Sequence, residues 1–322
     1  MSVAKERNKK IIIIDSNSVI HRAYHALPPL TRKNGELVNA VYGFLLVFFK
    51  AIKDFHPDFI AATFDFPAPT FRHKKYKAYK AKRPPAPEDL YSQIPKVKEF
   101  LKSFGVSVFE KEGFEADDII GTIAKISQRQ QVLPKIDVVI LSGDMDSLQL
   151  VDDQTKVYVL RKGVKDIVLY DEKQVEEKFQ GLTPRQILDF KSLRGDPSDN
   201  IPGVTGVGEK TAISLLSAFN SLDELYKAIE GKTKKAESVK PKLRDTLLKY
   251  KEQALISREL ARLETSVPID FSLKSCKWEN YDRKEVIRLL ESFEFYSLTK
   301  KLPDPSEKEE EKESIGENLK LW

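Results

Sequence analysis

The chain has a single cysteine, Cys276, which excludes an internal disulfide framework and any zinc site built on thiolates. A reducing cytosol is its natural setting. Histidine is scarce too, at four residues. His21 and His25 have helix spacing for a shared ion, but no third nitrogen or sulfur ligand lies near them in sequence. Zinc is therefore disfavoured, and the pair reads as structural or phosphate-facing. No run of 18 apolar residues occurs, and the opening MSVAKERNKK leads into an IIIID run that is too short and ends in a charge. That excludes a membrane-spanning helix and a signal peptide. Internal repeats are absent. Acid is missing altogether between Phe66 and Pro87.

What is there is ordinary globular material: 322 residues, 41% hydrophobic, enough for one large domain or two small ones. The net charge of +5 is unevenly spread. Residues 303–322 hold seven acids and three lysines, a net of −4, which leaves +9 on residues 1–302. A basic body with an acidic tail points to a polyanionic partner. The stretch PDPSEKEEEKES, residues 303–314, reads as a solvated linker.

Short β-branched runs alternate with amphipathic stretches through the first two thirds. Strands are expected at about 10–15, 59–65, 106–109 and 138–142, and helices at 38–55, 88–104 and 115–128. This rhythm predicts an α/β fold, a mostly parallel sheet with helices on both faces. Beyond Asp171 helices take over, at 172–179, 184–193, 210–218 and 222–229, with a long one at 239–263.

Acids punctuate this pattern. Asp15 and Asp65 close two strands, and SGDMD carries a third straight into Asp144 and Asp146. GFEADDIIG opens a helix with Glu115, Asp117 and Asp118, and RGDPSDN adds Asp196 and Asp199. Acids in a first helical turn are commonplace, because they complement the positive end of the helix dipole. Strand ends, however, deliver side chains to the crevice where open parallel sheets bind ligands. Nine carboxylates gathered there would repel one another unless a cation binds or some of them protonate, and an oxygen-only ligand set suits magnesium or manganese. Two alternatives fail on sequence. GVTGVGEKT has Glu209 between Gly208 and Lys210 and no preceding strand, so it is not a P-loop. Asn17, two residues after Asp15, argues against an aspartyl phosphotransfer motif.

Two segments are suited to phosphate. RHKKYKAYKAKR surrounds Tyr76 and Tyr79 with Arg72, Lys80, Arg83 and other cations. As a helix it would align Arg72, Tyr76, Lys80 and Arg83 on one stripe, combining phosphate neutralisation with rings for base stacking. IPGVTGVGEKTAISLL places Gly203, Gly206 and Gly208 in a tight hairpin ahead of a helix start, with Lys210 adding charge. Exposed amides there could grip a phosphodiester backbone without reading bases.

FDFPAPTFRH, YKAKRPPAPEDL, GFEADDIIGT, SGDMDSLQL and GDPSDNIPGVTGVGEKTA, in this order, resemble the 5′-3′ exonuclease domain of bacterial DNA polymerase I, in the flap endonuclease superfamily. The resemblance covers about residues 10–302. It implies a PIN-like core over 10–190 with a basic arch at about 67–87, a helical DNA-binding region with a helix-hairpin-helix over 191–302, and an acidic tail over 303–322. It assigns Asp15, Asp65, Glu115, Asp117 and Asp118 to a first divalent ion and Asp144, Asp146, Asp196 and Asp199 to a second, Mg2+ or Mn2+. Lys80 and Arg83 resemble the family's active-site cations, Tyr79 its stacking ring and Arg22 a phosphate contact. The hairpin resembles an element that in relatives also holds a potassium ion. The implied activity is two-metal hydrolysis of DNA bearing a 5′ flap or 5′ end, including RNA primers on DNA, by a cytoplasmic monomer; because no polymerase region follows in this sequence, a stand-alone form working beside a separate DNA polymerase is expected. Ser16 and Asn17 depart from the family's pattern after the first Asp. Competing readings are a PIN-type ribonuclease and a non-catalytic junction-binding protein.

The last five residues, NLKLW, put Leu319, Leu321 and Trp322 at the end of a charged linker. They resemble the short peptides by which bacterial replication proteins bind the sliding clamp, with Asn for Gln and Trp for Phe.

Overall fold

The computed structural model describes residues 7–129, 134–164 and 166–305. Leu319, Leu321 and Trp322 lie outside the described residues. Strand β1 (Lys9–Asp15) runs into helix α1 (Ser16–Ala26), which Asp15 caps by accepting from the Ser18 amide at 3.2 Å. Helix α2 (Asn39–Phe55), strand β2 (Phe59–Thr63), the short α3 (Phe71–Lys75), α4 (Glu88–Tyr91), α5 (Ile94–Ser103), strand β3 (Ser107–Phe109) and α6 (Ala116–Arg129) follow. Strands β4 (Ile136–Ser142), β5 (Thr155–Lys162) and β6 (Asp166–Tyr170) complete a six-stranded sheet ordered β3-β2-β1-β4-β5-β6. All neighbours are parallel except β5 and β6.

Four consecutive isoleucines make β1 a strand buried on both faces, which a parallel sheet requires. Ile12 and Ile14 join the core beneath α1, α2 and α5, whereas Ile11 and Ile13 join the opposite core beneath α6. The antiparallel edge strand β6 and its partner β5 are additional to the four strands expected from the sequence. Lys156 and Arg161 on β5 and Asp166 on β6 break the apolar runs there, and β6 is an edge strand, which tolerates charge.

The chain winds outward from β1 through β2 to β3, then returns to pair β4 on the other side of β1. The strand order therefore reverses between β1 and β4, and the crevice beyond their carboxyl ends is the natural ligand site.

A helical unit follows: α7 (Glu172–Lys178), α8 (Ile187–Arg194), α9 (Glu209–Phe219), α10 (Leu222–Glu230), α11 (Pro241–Lys249) and α12 (Lys251–Ala261). Its own core includes Leu193, Leu216, Phe219, Leu225 and Leu247. The helix expected over 239–263 is two helices meeting at Tyr250. The last segment is not part of this unit, contrary to expectation. Val267, Leu273 and Cys276 pack under the sheet, while α13 (Arg283–Ser292) and α14 (Tyr296–Thr299) send Val286, Leu290 and Leu298 into the core over its other face. Apolar spacing identifies a helix but not the partner it buries against.

Candidate active site

The crevice beyond β1 and β4 has a volume of about 970 Å³ and is lined by Asp15, Asp65, Glu115, Asp117, Asp144 and Asp199, with Arg22, Lys80 and Arg83. Six of the nine predicted acids and three of the predicted cations thus meet in one place. Strand ends position Asp15 and Asp144. Ser142 Oγ donates to Asp15 Oδ2 at 2.6 Å, and the Asp144 amide donates to Ser142 Oγ at 2.9 Å. Asp65 Oδ1 accepts from the Ala116 amide at 2.8 Å, which ties the end of the second strand segment to the start of α6. Arg22 donates to the Gly143 carbonyl at 2.7 Å and is held at the rim. His21 and His25 also line the crevice. Burial, with His25 and Arg83 nearby, lowers the His21 pKa, which suits a neutral ring.

The acids divide by partner. Glu115 accepts from Lys80 Nζ at 2.9 Å, and Asp199 accepts from Arg83 Nη2 at 2.9 Å. Asp146 and Asp196 share Lys191, whose Nζ is 2.8 Å from Asp196 Oδ2. Among the described residues, no lysine or arginine pairs with Asp15, Asp65, Asp117 or Asp144. Asp117 is the telling case: its Oδ1 is buried with no hydrogen-bond partner. Burial, then Asp15, Asp144 and Asp146, push its pKa well up. Burial raises Asp15 as well, against the hydrogen bonds from Ser142 and Ser18. An unpartnered carboxylate among like charges is a cost that a cation would relieve.

Among the described residues, no three acidic, histidine or cysteine side chains already stand as a ready ligand cluster. The donors are all oxygen, and the orphaned Asp117 atom faces other carboxylates, so the residues fit hard divalent ions.

Four expectations need correction. Asp118 does not face the crevice: it is fully buried, holds Arg72 through two bonds of 2.7 Å, and accepts from the amides of Glu115 and Glu264. Its oxygens are spent on structure. Arg72 is accordingly not a DNA contact. Only 1% exposed, it also donates to the carbonyls of Leu260 and Arg262, fastening the arch to the end of α12. The helix considered for the arch, with Arg72, Tyr76, Lys80 and Arg83 on one stripe, does not form: α3 stops at Lys75, and Lys80 adopts φ 53°, a left-handed conformation rare for lysine. Lys80 N donates to the Asp199 carbonyl at 2.9 Å, and that contact overrides helix propensity. Tyr79 is not an open stacking ring. It is 3% exposed in a small cluster with Ile201 and Leu260, against which Tyr76 packs half-buried. Its hydroxyl lies 3.0 Å from Glu115 Oε2 and 3.1 Å from Asp199 Oδ2. Burial and these two carboxylates raise its pKa, so it remains a phenol.

Asp146 and Asp196 stand outside the crevice lining, joined through Lys191. Burial and Asp144 raise Asp146 to about 6 despite that lysine. Burial would raise Asp196 too, but Lys191 and the Ser198 hydrogen bonds outweigh it and hold the carboxyl at about 2. Sequence reasoning missed Lys191. Its only signal was a cation on a helix five residues before an acid.

The hairpin runs from Gly195 to Gly208. A Cβ on Gly203, which has φ 61°, would lie 2.2 Å from the Gly195 nitrogen, so only glycine fits. Gly206 has φ 85° with open space around it. Gly208 is extended at φ −90° and equally open, so its conformation does not demand glycine. Lys210 is exposed in the first turn of α9.

In this chain a sheet that reverses order over an acid-lined crevice is joined to a helical unit with a glycine hairpin. The description "5'-3' exonuclease, N-terminal resolvase-like domain" fits residues 10–180, and "5'-3' exonuclease, C-terminal SAM fold" fits residues 182–284. The chain belongs to the 5′-3′ exonuclease family. It is 41% identical to DNA polymerase I of Bacillus subtilis over 307 residues, which are 95% of this chain and 34% of that protein. To DNA polymerase I of Mycobacterium tuberculosis it is 38% identical over 296 residues, 91% of this chain and 31% of that one. The chain spans about a third of the length of these relatives. The bacteriophage T5 flap endonuclease in complex with DNA and metal ions shares the fold at TM-score 0.65 and 18% identity, covering 88% of this chain and all of that one. The catalytic core of Rad2 with DNA substrate does so at TM-score 0.56 and 17% identity, covering 90% and 89%. No helix among the described residues is long and apolar enough to cross a membrane.

Proposed function

We propose that this chain hydrolyses phosphodiester bonds in DNA carrying a 5′ flap or a 5′ end, with two divalent ions, Mg2+ or Mn2+. The observation that carries the reading is Asp117 Oδ1, buried without a hydrogen-bond partner, beside Asp15 and Asp144 at the sheet's switch point. Asp15, Asp65, Glu115 and Asp117 would hold one ion, and Asp144, Asp146, Asp196 and Asp199 the other. Bound there, such ions supply charge stabilisation on the phosphate and lower the pKa of water.

The chain's own groups do the rest. Lys80 and Arg83 already point their nitrogens into the crevice, where a phosphate can replace Glu115 and Asp199 as their acceptor and draw on them as charge develops. Arg22, fixed to Gly143, offers a further donor at the rim. Open space at Gly206 and Gly208 lets a duplex backbone approach the first amides of α9, where the helix dipole favours an anion and Lys210 adds charge. A potassium ion of the kind the family resemblance implies would assist that grip. The terminal Leu319, Leu321 and Trp322 peptide would tether the enzyme to a sliding clamp.

The test is cleavage of a labelled 5′-flap duplex beside single-stranded RNA, with magnesium and with chelator. Magnesium-dependent cutting of the flap is expected. Equal cutting of free RNA would make the protein a ribonuclease, and flap binding without cutting would make it a junction-binding protein.

A further inference from the structure

The acids of the crevice are not equally ready for a divalent ion. Asp15, Asp117 and Asp144 have no lysine or arginine partner among the described residues, whereas Asp146 and Asp196 are already bridged by a lysine. That lysine, Lys191, projects from the middle of α8 and is nine-tenths buried. It joins two carboxylates 50 residues apart in sequence, one just past β4 and one at the turn after α8. Ser198 adds two bonds to Asp196, at 2.9 and 2.6 Å, and fixes that carboxylate in place.

We infer that Lys191 is a resident cation of the second ion site and acts as a positioning residue that makes the two ions load unequally. The inference rests on the two-ion reading above. An ammonium between two carboxylates satisfies part of their charge and stands where a dication would have to approach. A divalent ion entering there meets repulsion from a fixed positive charge at short range, in a buried setting where such repulsion is poorly screened. Of the first ion's four acids, Asp15, Asp65 and Asp117 pair with no lysine or arginine among the described residues and only Glu115 does, whereas three of the second ion's four acids are paired, so the first ion binds more tightly. The second ion binds weakly and only as Lys191 gives up Asp146 or Asp196. In the absence of divalent ions the lysine also keeps the two acids from repelling each other.

Manganese titration of the whole chain by calorimetry tests this, with K191M and K191Q as neutral variants and K191R as the charged control. Wild-type protein should show one tight and one weak binding event. Either neutral variant should tighten the weak event by about tenfold or more and leave the tight one in place, and K191R should keep it weak. Thermal melting gives a second readout. Without divalent ions K191M should melt below wild type, and manganese should raise its melting temperature by more than it raises that of wild type. A weak event that is unmoved or weakened further in both neutral variants overturns the inference while leaving the metal site intact. Absence of any manganese binding to wild type overturns the metal reading and this inference with it.

Discussion

The arch from Phe71 to Arg83 and the hairpin from Gly195 to Gly208 both carry positive character, but they are built in opposite ways. The hairpin's shape comes from its own residues: Gly203 at φ 61° and Gly206 at φ 85° fold it locally, and the amides at the start of α9 supply the positive field. The arch has no such local logic. Its basic run would suit a continuous helix, yet it forms a five-residue helix followed by turns, because Arg72, Tyr79 and Lys80 each find a distant partner. A segment shaped by its own backbone can be read from its letters, and one shaped by remote carboxylates cannot.

Arg72→Met breaks the arch side of this comparison most severely. It leaves Asp118 charged and buried without its guanidinium, at a cost of about 3–5 kcal/mol. Urea denaturation should show the loss, and Met in place of Arg should abolish cleavage only so far as it unfolds the protein. Lys80→Ala should lower the single-turnover cleavage rate by about 100-fold while changing flap affinity little, since the side chain acts on developing charge. Equal losses of rate and affinity would make Lys80 an anchor instead. On the hairpin side, Gly203→Ala forces a Cβ to within 2.2 Å of backbone and should cost about 2–3 kcal/mol, with selective loss of duplex affinity measured by fluorescence anisotropy. Gly206→Ala meets open space and should cost about 1 kcal/mol, the backbone term alone.

The smallest expected effect concerns pH. Asp146, facing Asp144, Lys191 and Asp196, is held at about 6, whereas an unfolded aspartate titrates near about 3.9. The folded state holds this proton more tightly, so its stabilising contribution is complete below about pH 4 and is lost as pH rises through about 6. Melting of chelated protein should therefore drop by on the order of 1 kcal/mol between pH 4.5 and pH 7.5, and magnesium should stabilise more at the higher pH. An equal magnesium effect at both values would remove Asp146 from the ion site.

Much of the site is legible in the amino-acid order alone. Isoleucine runs ending in acids locate Asp15, and the GDMD turn locates Asp144, because a parallel strand fixes where its last side chain emerges. The roles of Asp118 and Lys191 are not legible in this way. Asp118 shares a helix start with Asp117, but one position along a helix turns a side chain by about 100°. That rotation sends Asp117 to the crevice and Asp118 into the interior, where Arg72 waits. Nothing in the letters distinguishes them.

The sequence by itself determined the alternation that makes the sheet, the strand-end acids, the glycine-dependent hairpin and the family to which the chain belongs. These depend on backbone geometry and periodicity, which act over a few residues. Only the tertiary structure decided which cation each carboxylate holds. It set Arg72 on Asp118, Lys80 on Glu115, Arg83 on Asp199 and Lys191 between Asp146 and Asp196, and left Asp117 without any among the described residues. Charge pairing acts through space and depends on burial, so it is settled only when segments far apart in the chain have packed together.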